Sequence, residues 1–494
     1  MVVQSFSEGS LSQIMNAVQP TSASLIATLA GVLPNGGLLT AEDDLARYSR
    51  DWSGDHFGRP LAVARPASVE EMSALMRRCH EERIPVVPQG GLTGLVGAAV
   101  AAESGEVVIS LERLNKIRSV SPIDFAMVVE AGCILEDAKR AADENDCLLP
   151  ITFGAQGSCR IGGNVATNAG GFNVLRYGMT RDLVLGLEVV LADGRVWNGL
   201  KVLRKDNRGY DLKQVFIGSE GTLGIVTAAA LKLFPKPTQI ETALVGLRSV
   251  EDAMALYARA RRDCSDLLTA FELILRRGIE ITMRERADFP DPLTKAYPVY
   301  VLIEVSAGGL IDLSSMLLGF LGGVENLVED GVVASTRAQA ERLWLYREIM
   351  VERQGRGGRY LRTDVSVPIS RLADFVADAL AALERTRPDA LAVTYGHVGD
   401  GNIHLNVVPP EGMAPEAIEH LFEETEAQIF AIVDRYGGSI SAEHGIGRVK
   451  QKAFLERIDP VALDLAAGIK DAFDQRRILS NGRILASKSS LDYR

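Results

Sequence analysis

Two glycine-rich runs within one region of short predicted strands constrain the fold of this chain more than any other feature. Four glycines fall between Gly90 and Gly97, and seven fall between Gly154 and Gly178. The whole chain holds 47 glycines in 494 residues, a larger share than the usual ~7%. Because glycine allows a backbone to approach a ligand closely, such clusters indicate loops that surround a bound molecule.

The composition of the two runs suggests what that molecule is. The first run, Pro88 to Gly94, follows a predicted strand, and its consecutive glycines allow several backbone N–H groups to face one pyrophosphate. The second run, Gly157 to Gly171, holds small residues, hydroxyls and amides, with Arg160 as its one charge, which suits the neutral edge of a flavin ring. Neither GxGxxG nor GxxxxGK[ST] occurs, so a Rossmann site and a P-loop are not supported. Two ordinary tight turns stay the alternative.

Charge and cysteine content narrow the class of protein. The net charge of −11 argues against nucleic acid or an anionic membrane as the main partner. Five cysteines without a CxxC pair predict neither a disulfide framework nor a cysteine-rich zinc site. No Lys or Arg precedes Arg47, and the apolar stretch from Ala23 to Leu33 is too short to span a bilayer, so it is read as a buried helix. We therefore expect a cytoplasmic protein.

The alternation of strand-like and helix-like patterns predicts three segments. Residues 1–237 combine an N-terminal helical segment with short helices and strands, such as a helix opened by a capping box at Ser68. Pro235-Lys236-Pro237 breaks this pattern. Residues 238–454 alternate strands with longer amphipathic helices, which is typical of an α+β domain. Residues 455–494 are helical and then polar.

Three of the six histidines lie in two short motifs in the second segment. Asp400-Gly401 predicts a two-residue hairpin turn, which would place His397 directly opposite His404 at a distance suited to one metal ion. Glu443 could add a carboxylate, giving a His₂Glu site with open positions, and the adjacent His444 could act as a base. The alternative is a pair of structural hairpin histidines beside a glycine-rich loop.

Two arginines are candidates for binding a substrate carboxylate, since a guanidinium offers two parallel hydrogen bonds. Arg347 lies in a predicted helix. Arg362 lies in a predicted strand from Tyr360 to Val367, on the same face as Asp364. A surface salt bridge is the plain alternative for either one.

The glycine runs, the segment LRKDNRGYDL (203–212), the segment IGSEGTLGI (217–225), GHVGDGNIH (396–404) and AEHG (442–445) together resemble the FAD-linked oxidases of the vanillyl-alcohol oxidase superfamily. Within that superfamily the chain is most similar to the D-2-hydroxyacid dehydrogenase group, from about residue 40 to 485. The resemblance implies an α+β fold: a two-part FAD-binding domain of the PCMH type, a ferredoxin-like substrate domain, and a helical C-terminal segment that returns to the flavin.

The resemblance also implies a role for particular residues. His397, His404 and Glu443 match ligands of a divalent metal, usually zinc, His444 matches the base, and Arg347 matches the carboxylate clamp, with Arg362 and Asn406 as further substrate-binding residues. FAD is expected to be bound non-covalently, because neither His nor Cys occupies an obvious attachment motif. The residues expected to hold FAD are Pro88, Gln89, Gly90, Gly91, Leu92, Thr93, Gly94, Pro150, Gly157, Ser158, Ile161, Gly162, Gly163, Asn164, Ala166, Thr167, Glu220, Gly224 and Ile225.

The chain departs from the group's pattern at three places. Arg362 stands where hydroxyglutarate enzymes carry Lys, Val351 stands where they carry a hydroxyl residue, and Ser480-Asn481-Gly482 replaces Asn-Pro-Gly. We therefore expect substrates with one carboxylate to rival or exceed D-2-hydroxyglutarate.

The predicted activity is metal-assisted oxidation of a D-2-hydroxyacid to the 2-oxoacid, with hydride transfer to FAD. Electrons would pass to an acceptor other than oxygen, such as an electron-transfer flavoprotein, a quinone or a cytochrome, and a homodimer is left open. The alternatives are a His₂Glu metallohydrolase, which leaves the glycine runs unexplained, and a non-catalytic flavin electron carrier, which leaves the histidine motifs unexplained.

Overall fold

The computed structural model of the chain describes residues 22–34, 36–102, 105–355 and 358–486. Its strands are β1 Leu38–Leu39, β2 Ala62–Ala64, β3 Val86–Gln89, β4 Val107–Ser110, β5 Ile117–Ser121, β6 Ala126–Glu130, β7 Cys147–Leu148, β8 Val184–Val190, β9 Val196–Asn198, β10 Ile225–Lys232, β11 Phe234–Pro235, β12 Gln239–Leu247, β13 Leu268–Leu275, β14 Val299–Ala307, β15 Asp330–Val333, β16 Val365–Ser366, β17 Leu391–His397 and β18 Asn402–Val408.

The α-helices between the strands range from one turn to about six turns. They are Ser22–Ala30, Glu42–Ala46, Val69–Glu82, Leu135–Asp143, Ile161–Ala166, Val174–Tyr177, Thr180–Leu183, Lys213–Phe216, Val250–Asp263, Arg276–Glu285, Leu313–Gly322, Arg337–Arg353, Leu372–Thr386, Pro415–Arg435, Gln451–Leu455 and Pro460–Phe473, with 3-10 turns at Ser265–Leu267 and Ile369–Arg371. Across the described part of the chain, none of these helices combines the length and apolar character needed to cross a membrane.

The N-terminal half contains two main sheets. In the order β1-β2-β4-β3 the last three strands are parallel and β1 is antiparallel, whereas the order β5-β6-β10-β8-β9 is antiparallel throughout. One hydrophobic core joins the two sheets, and its buried residues include Met76, Val107 and Leu187. The glycine-rich runs are therefore attached to strands or helices that belong to this core, which gives them a rigid support.

The C-terminal half is built on one antiparallel sheet of seven strands in the order β15-β12-β14-β13-β17-β18-β16. Each face of this sheet is covered by helices and has its own hydrophobic core, one including Phe271 and Phe375 and the other including Tyr300 and Met350. The helix Arg337–Arg353 packs against the second face. The site described below lies where this sheet meets the N-terminal half.

The helix start predicted at Ser68 follows the expected capping chemistry. The Ser68 side chain accepts a hydrogen bond from the Glu71 backbone N–H, and Glu71 in turn accepts one from the backbone of Ala67. One helix differs from its prediction. The stretch from Ala23 to Leu33 forms the helix Ser22–Ala30, but Leu29 is its one buried residue, so it is a surface helix and not a buried one. Its other positions are mainly small alanines and serines, which offer little apolar area to bury.

The last described segment returns to the N-terminal half. Leu479 forms a parallel bridge with Val86 and thereby extends the first sheet beyond β3. The buried Lys470 donates hydrogen bonds to Asp474 at 2.7 Å and to the carbonyl oxygens of Thr222 and Leu479. The equally buried Arg483 pairs with Glu106 at 2.7 Å. Buried cations with complete sets of partners fix this segment in one position.

Candidate active site

The two hairpin histidines lie on the same face of the sheet, but not in the predicted register. His404 pairs with Tyr395, and His397 pairs with Asn402, so residues 398–401 form a four-residue loop and direct opposition of the histidines is wrong. Val398 causes the wider loop, because it is fully buried and its N–H donates to the carbonyl of Phe271. A shift by two residues preserves the face of every side chain, and the two imidazole centres are 5.7 Å apart.

His397, His404 and Glu443 meet as the sequence predicts. One nitrogen or oxygen from each lies within 4.8 Å of the others, and His397 Nε2 is 4.0 Å from Glu443 Oε1. The other ring nitrogen of His397 is 2.6 Å from an oxygen of Glu272 on β13. Histidines that bind metals commonly donate their second N–H to a carboxylate, so the donor set fits a divalent metal.

Glu443 connects this cluster to the second glycine run. Its Oε1 accepts a hydrogen bond of 2.8 Å from the backbone N–H of Gly171. A Cβ added at Gly170 would lie 2.5 Å from the same oxygen, so a side chain there would displace the carboxylate. The histidine cluster and the glycine run therefore share one wall.

His444 lies beside a buried carboxylate that the sequence interpretation did not single out. Its Nδ1 is 3.7 Å from Asp364, which is fully buried and also lies 4.0 Å from His404. Asp364 accepts backbone N–H bonds from residues 442, 443 and 444, and a side-chain bond from Asn402 at 3.0 Å. This one carboxylate holds the AEHG loop in place against the hairpin.

Burial and charge set the protonation of the three histidines differently. Burial lowers the pKa of His404 well below its usual value and lowers the pKa of His444, although Asp364 opposes both shifts. Burial also acts against the charged form of His397, but Glu272 outweighs it and raises the pKa of His397 to about 9. His404 and His444 are therefore neutral near pH 7, with a lone pair for a ligand or a proton.

The pKa values of the carboxylates Glu443 and Asp364 are also shifted, in opposite directions. Burial raises the pKa of Glu443. Burial would raise the pKa of Asp364 as well, but His444 and Lys450 outweigh it and hold that pKa below its usual range. Asp364 is thus a permanent anion next to the candidate base, and such a neighbour stabilises an imidazolium once it forms.

Arg347 projects from the helix Arg337–Arg353 into the same cluster and is 3% exposed. Its Nε donates to Glu272 at 3.3 Å, and its guanidinium lies 4.2 Å from the ring centre of Tyr395. Glu272 therefore links the predicted carboxylate clamp to the predicted metal ligand His397. Neither Glu272 nor Asp364 was predicted, although a charged residue inside the apolar strand FELIL (271–275) is the signal that could have revealed Glu272.

Arg362 occupies a different setting. The predicted strand from Tyr360 to Val367 is wrong in extent, because regular pairing is limited to Val365–Ser366, with one bridge at Leu361. Arg362 stacks on Tyr360 at 4.4 Å, and its Nη1 donates to Asp55 at 3.0 Å. The structure thus places Arg362 at the boundary between the two halves, paired with an acid from the N-terminal half.

Asn406 lies on the same sheet face as the histidines, and both the nitrogen and the oxygen of its side-chain amide form hydrogen bonds. Its Nδ2 donates to Gln354 at 3.1 Å and to the Tyr395 hydroxyl at 3.0 Å, while its Oδ1 accepts from the Thr363 backbone. These bonds orient Tyr395 beneath Arg347. A direct bond from Asn406 to substrate stays a prediction.

The predicted flavin-binding segments come together in the N-terminal half. A Cβ at Gly91 would lie 2.2 Å from the Ser158 carbonyl oxygen, and one at Gly90 would lie 3.5 Å from the Cα of Gly163. Glu220 donates its backbone N–H to the carbonyl of Ala166 at 2.8 Å. The first run, the second run and the segment at Glu220 therefore form one continuous cradle.

Two glycines show that this cradle has room for a ligand. A Cβ at Gly94 or at Gly163 would meet no other atom within 4 Å, so open space lies beside both runs. Thr93, Gly157 and Ser158 are partly or fully exposed around it. Open space lined by backbone and hydroxyl groups fits FAD.

Other predicted flavin-binding residues support the cradle from behind. Gln89 is buried, and its side chain donates to the carbonyls of Tyr48 and Ala99. Ile161, Gly162, Asn164, Gly224 and Ile225 are likewise buried in the packing, while Leu92 has a positive φ of 58° that shapes the first run. Pro150 accepts a bond from Asn173 on its carbonyl, and Thr167 donates to the carbonyl of Gly163.

Cys159 lies inside the second run but is unsuited to covalent attachment of a flavin. It is 1% exposed, and burial raises the pKa of its thiol to about 11. A buried thiol with a raised pKa is a poor nucleophile, in keeping with the expected non-covalent cofactor.

Both halves of the chain match families of known proteins. Residues 60–199 match a family described as "FAD binding domain", and residues 236–484 match one described as "FAD linked oxidases, C-terminal domain". A D-2-hydroxyglutarate dehydrogenase of Xanthomonas citri pv. viticola is 39% identical over 93% of this chain and 96% of its own length. The mitochondrial enzyme of that name from Rattus norvegicus is 37% identical over 94% of this chain and 85% of its own length.

Solved structures show the same fold at low sequence identity. A p-cresol methylhydroxylase with bound substrate superposes with a TM-score of 0.74 at 18% identity and covers 98% of each chain. A 4-ethylphenol oxidase from Gulosibacter chungangensis gives a TM-score of 0.74 at 16% identity, covering 95% of this chain and 98% of its own. The expected α+β fold with a PCMH-type FAD-binding part is confirmed, and the chain belongs to the FAD-linked oxidase family.

Proposed function

We propose that this chain oxidises a D-2-hydroxyacid to the corresponding 2-oxoacid with FAD as the hydride acceptor. The observation that carries the proposal is the hydrogen bond from Gly171 to Glu443, which joins the flavin cradle to a cluster of imidazoles and carboxylates. Relatives at 37–39% identity carry the name D-2-hydroxyglutarate dehydrogenase, which supports the substrate class.

When bound, FAD supplies a hydride acceptor, and a divalent metal, which we propose to be zinc, supplies a Lewis acid. His397, His404 and Glu443 would hold the metal, since their ligand atoms already converge. Arg347 would bind the substrate carboxylate, with Arg362 nearby. Together these residues would orient the substrate for hydride transfer.

His444 would accept the proton of the substrate hydroxyl at a ring nitrogen. The neutral ring that its lowered pKa implies can take up a proton, and the anionic Asp364 at 3.7 Å stabilises the charged ring that results. Asp364 thus acts by positioning and charge, without contacting the substrate.

We also propose an electron acceptor other than oxygen, namely an electron-transfer flavoprotein, a quinone or a cytochrome, and a cytoplasmic location. The proposal of a small anionic substrate is supported by Arg347 inside the cluster and Arg362 at the boundary between the two halves. The relatives from Rattus norvegicus and Bos taurus carry "mitochondrial" in their names, so their location differs from the one proposed here.

The test is a visible absorption spectrum of the purified protein during anaerobic titration with D-lactate, D-malate and D-2-hydroxyglutarate. We expect a yellow protein whose flavin band bleaches, and whose colour moves to the supernatant on acid precipitation. Absence of flavin would favour a metallohydrolase, and flavin that no D-2-hydroxyacid bleaches would favour an electron carrier. Colour that stays in the acid pellet would contradict the non-covalent cofactor.

A further inference from the structure

The acid that pairs with Arg362 comes from a short segment of the N-terminal half, residues 51–57. One oxygen of Asp55 accepts the bond from Arg362 Nη1 at 3.0 Å, and the other lies 3.3 Å from Nε of Arg359. Asp55 and the two arginines are separated by about three hundred residues of sequence. The contact therefore exists only because the two halves meet at the site.

The segment that carries Asp55 is attached to the first glycine run. The Trp52 N–H donates to the carbonyl of Leu92 at 2.9 Å, and a bridge between Arg50 and Phe57 closes the segment. The Asp55 N–H itself donates to the Ser53 hydroxyl at 3.1 Å. Asp55 is thus held at a defined place between the flavin cradle and Arg362.

Both candidate carboxylate-binding arginines have an acidic partner, but the two partners differ. Glu272 beside Arg347 is 1% exposed and also contacts His397, so it belongs to the interior of the cluster. Asp55 beside Arg362 is about a quarter exposed and contacts no histidine of the cluster in the described part of the chain. Asp55 therefore contacts Arg362 and not the histidine cluster.

A second carboxylate that reached Arg362 would have to lie beside the carboxylate of Asp55. Like charges at such a distance repel, and the repulsion selects against one class of ligand. Among the described residues the Nε of Arg362 is buried without a hydrogen-bond partner, so this arginine retains one donor for an oxygen of the ligand. The positive charge of Arg362, however, already faces the carboxylate of Asp55.

We propose that Asp55 is a specificity-determining residue that disfavours D-2-hydroxyacids with a second carboxylate by occupying the charge of Arg362. This inference rests on the proposed function and names the substrate class within it: 2-hydroxyacids with one carboxylate and an uncharged tail.

The test compares the wild type with Asp55→Asn, which removes the charge and keeps the shape. The measured quantity is the ratio of kcat/KM for D-2-hydroxyglutarate to that for D-lactate, with D-malate as a shorter dicarboxylate. We expect the ratio to rise about tenfold or more in the variant. A second variant, Asp55→Ser, should change the ratio in the same direction.

A binding measurement provides a readout without turnover. The dissociation constants of 2-oxoglutarate and pyruvate, read from changes in the flavin spectrum, should shift in favour of 2-oxoglutarate in Asp55→Asn. Glu419→Gln is the matched control, because Glu419 also pairs with Arg359 but does not contact Arg362. In Glu419→Gln the ratio of the two dissociation constants should equal that of the wild type.

The outcomes separate the two proposals. An active enzyme whose ratio is unchanged or lower in both Asp55 variants, or a wild type that prefers D-2-hydroxyglutarate more than about tenfold, overturns the role of Asp55. A flavoprotein that no D-2-hydroxyacid reduces overturns the proposed function itself. In the double variant Asp55→Asn/Arg362→Gln the gain for dicarboxylates should disappear, because the freed charge is gone.

Discussion

The flavin cradle and the histidine cluster share one wall but are lined by different kinds of chemical group. The cradle is lined by glycine backbone and hydroxyl groups, and it leaves open space beside Gly94 and Gly163. The cluster is made of charged or ionisable side chains that already contact one another, such as His397 with Glu272. The cradle therefore depends on side chains being absent, whereas the cluster depends on particular side chains being present.

This contrast teaches how substitutions should act in each region. In the cradle, added atoms cause harm because they occupy the space of the cofactor or push two runs apart. In the cluster, removed atoms cause harm because a buried charge or donor loses its partner. Variants in one region should therefore spare the ligand of the other.

The largest expected effect is that of His404→Ala. If His404 is a metal ligand as proposed, its loss should remove the metal and lower kcat by roughly a thousandfold, which corresponds to about 4 kcal/mol. Flavin should stay at its wild-type level, because the cradle lies in the other half. Metal analysis and the visible spectrum of the same sample check both points, and full metal occupancy would contradict the site.

Glu272→Gln should have the next largest effect. It removes the carboxylate behind His397, and the loss of such a partner typically costs about ten- to a hundredfold in metal affinity. The control is Glu304→Gln on the adjacent strand β14, where the carboxylate bonds Trp344 rather than a histidine. Metal titration of both variants makes the comparison, and equal affinities would show that Glu272 does not support the ligand.

Gly91→Ala tests the cradle. Its Cβ would lie 2.2 Å from the Ser158 carbonyl oxygen, so the two runs must separate, and we expect FAD affinity to fall about tenfold. The metal should remain. Gly319→Ala is a control, because a Cβ there meets nothing within 4 Å. Flavin fluorescence on dilution measures the affinity, and a wild-type value would argue against close contact of the two runs.

The smallest expected effect is that of Val351→Thr, one helical turn after Arg347. The added hydroxyl restores a partner for a distal carboxylate and should improve D-2-hydroxyglutarate relative to D-lactate by about threefold. Steady-state kinetics with the two acids measures it. A shift towards D-lactate would show that position 351 does not face the tail of the substrate.

The sequence predicted most elements of the fold but not the contacts between distant strands. The capping serine at Ser68 and the strands around His397 follow from local chemistry and alternation. The hairpin register does not follow from local chemistry, because it depends on Val398 being buried against Phe271, more than a hundred residues away. A turn signal alone cannot report such a partner.

The candidate site was likewise predictable where it depends on local pattern, but not where it depends on contacts with distant strands and loops. His397, His404 and Glu443 converge as expected, because two of them lie on one face of one hairpin. Glu272 and Asp364 were missed, since their roles arise from neighbours on other strands and loops. Asp55 was also missed, because its partner Arg362 lies in the other half of the chain.

The bridge between Val86 and Leu479 has a consequence for the order of assembly during protein synthesis. Among the residues that the structure describes, the outer neighbour of the strand that leads into the first glycine run is Leu479, nearly four hundred positions later. Contacts of such sequence separation form late, since the intervening chain must first be made and arranged. The bridge to Leu479 is therefore missing while the N-terminal half is being synthesised. Closure of this edge of the sheet therefore requires that both halves of the chain have been synthesised.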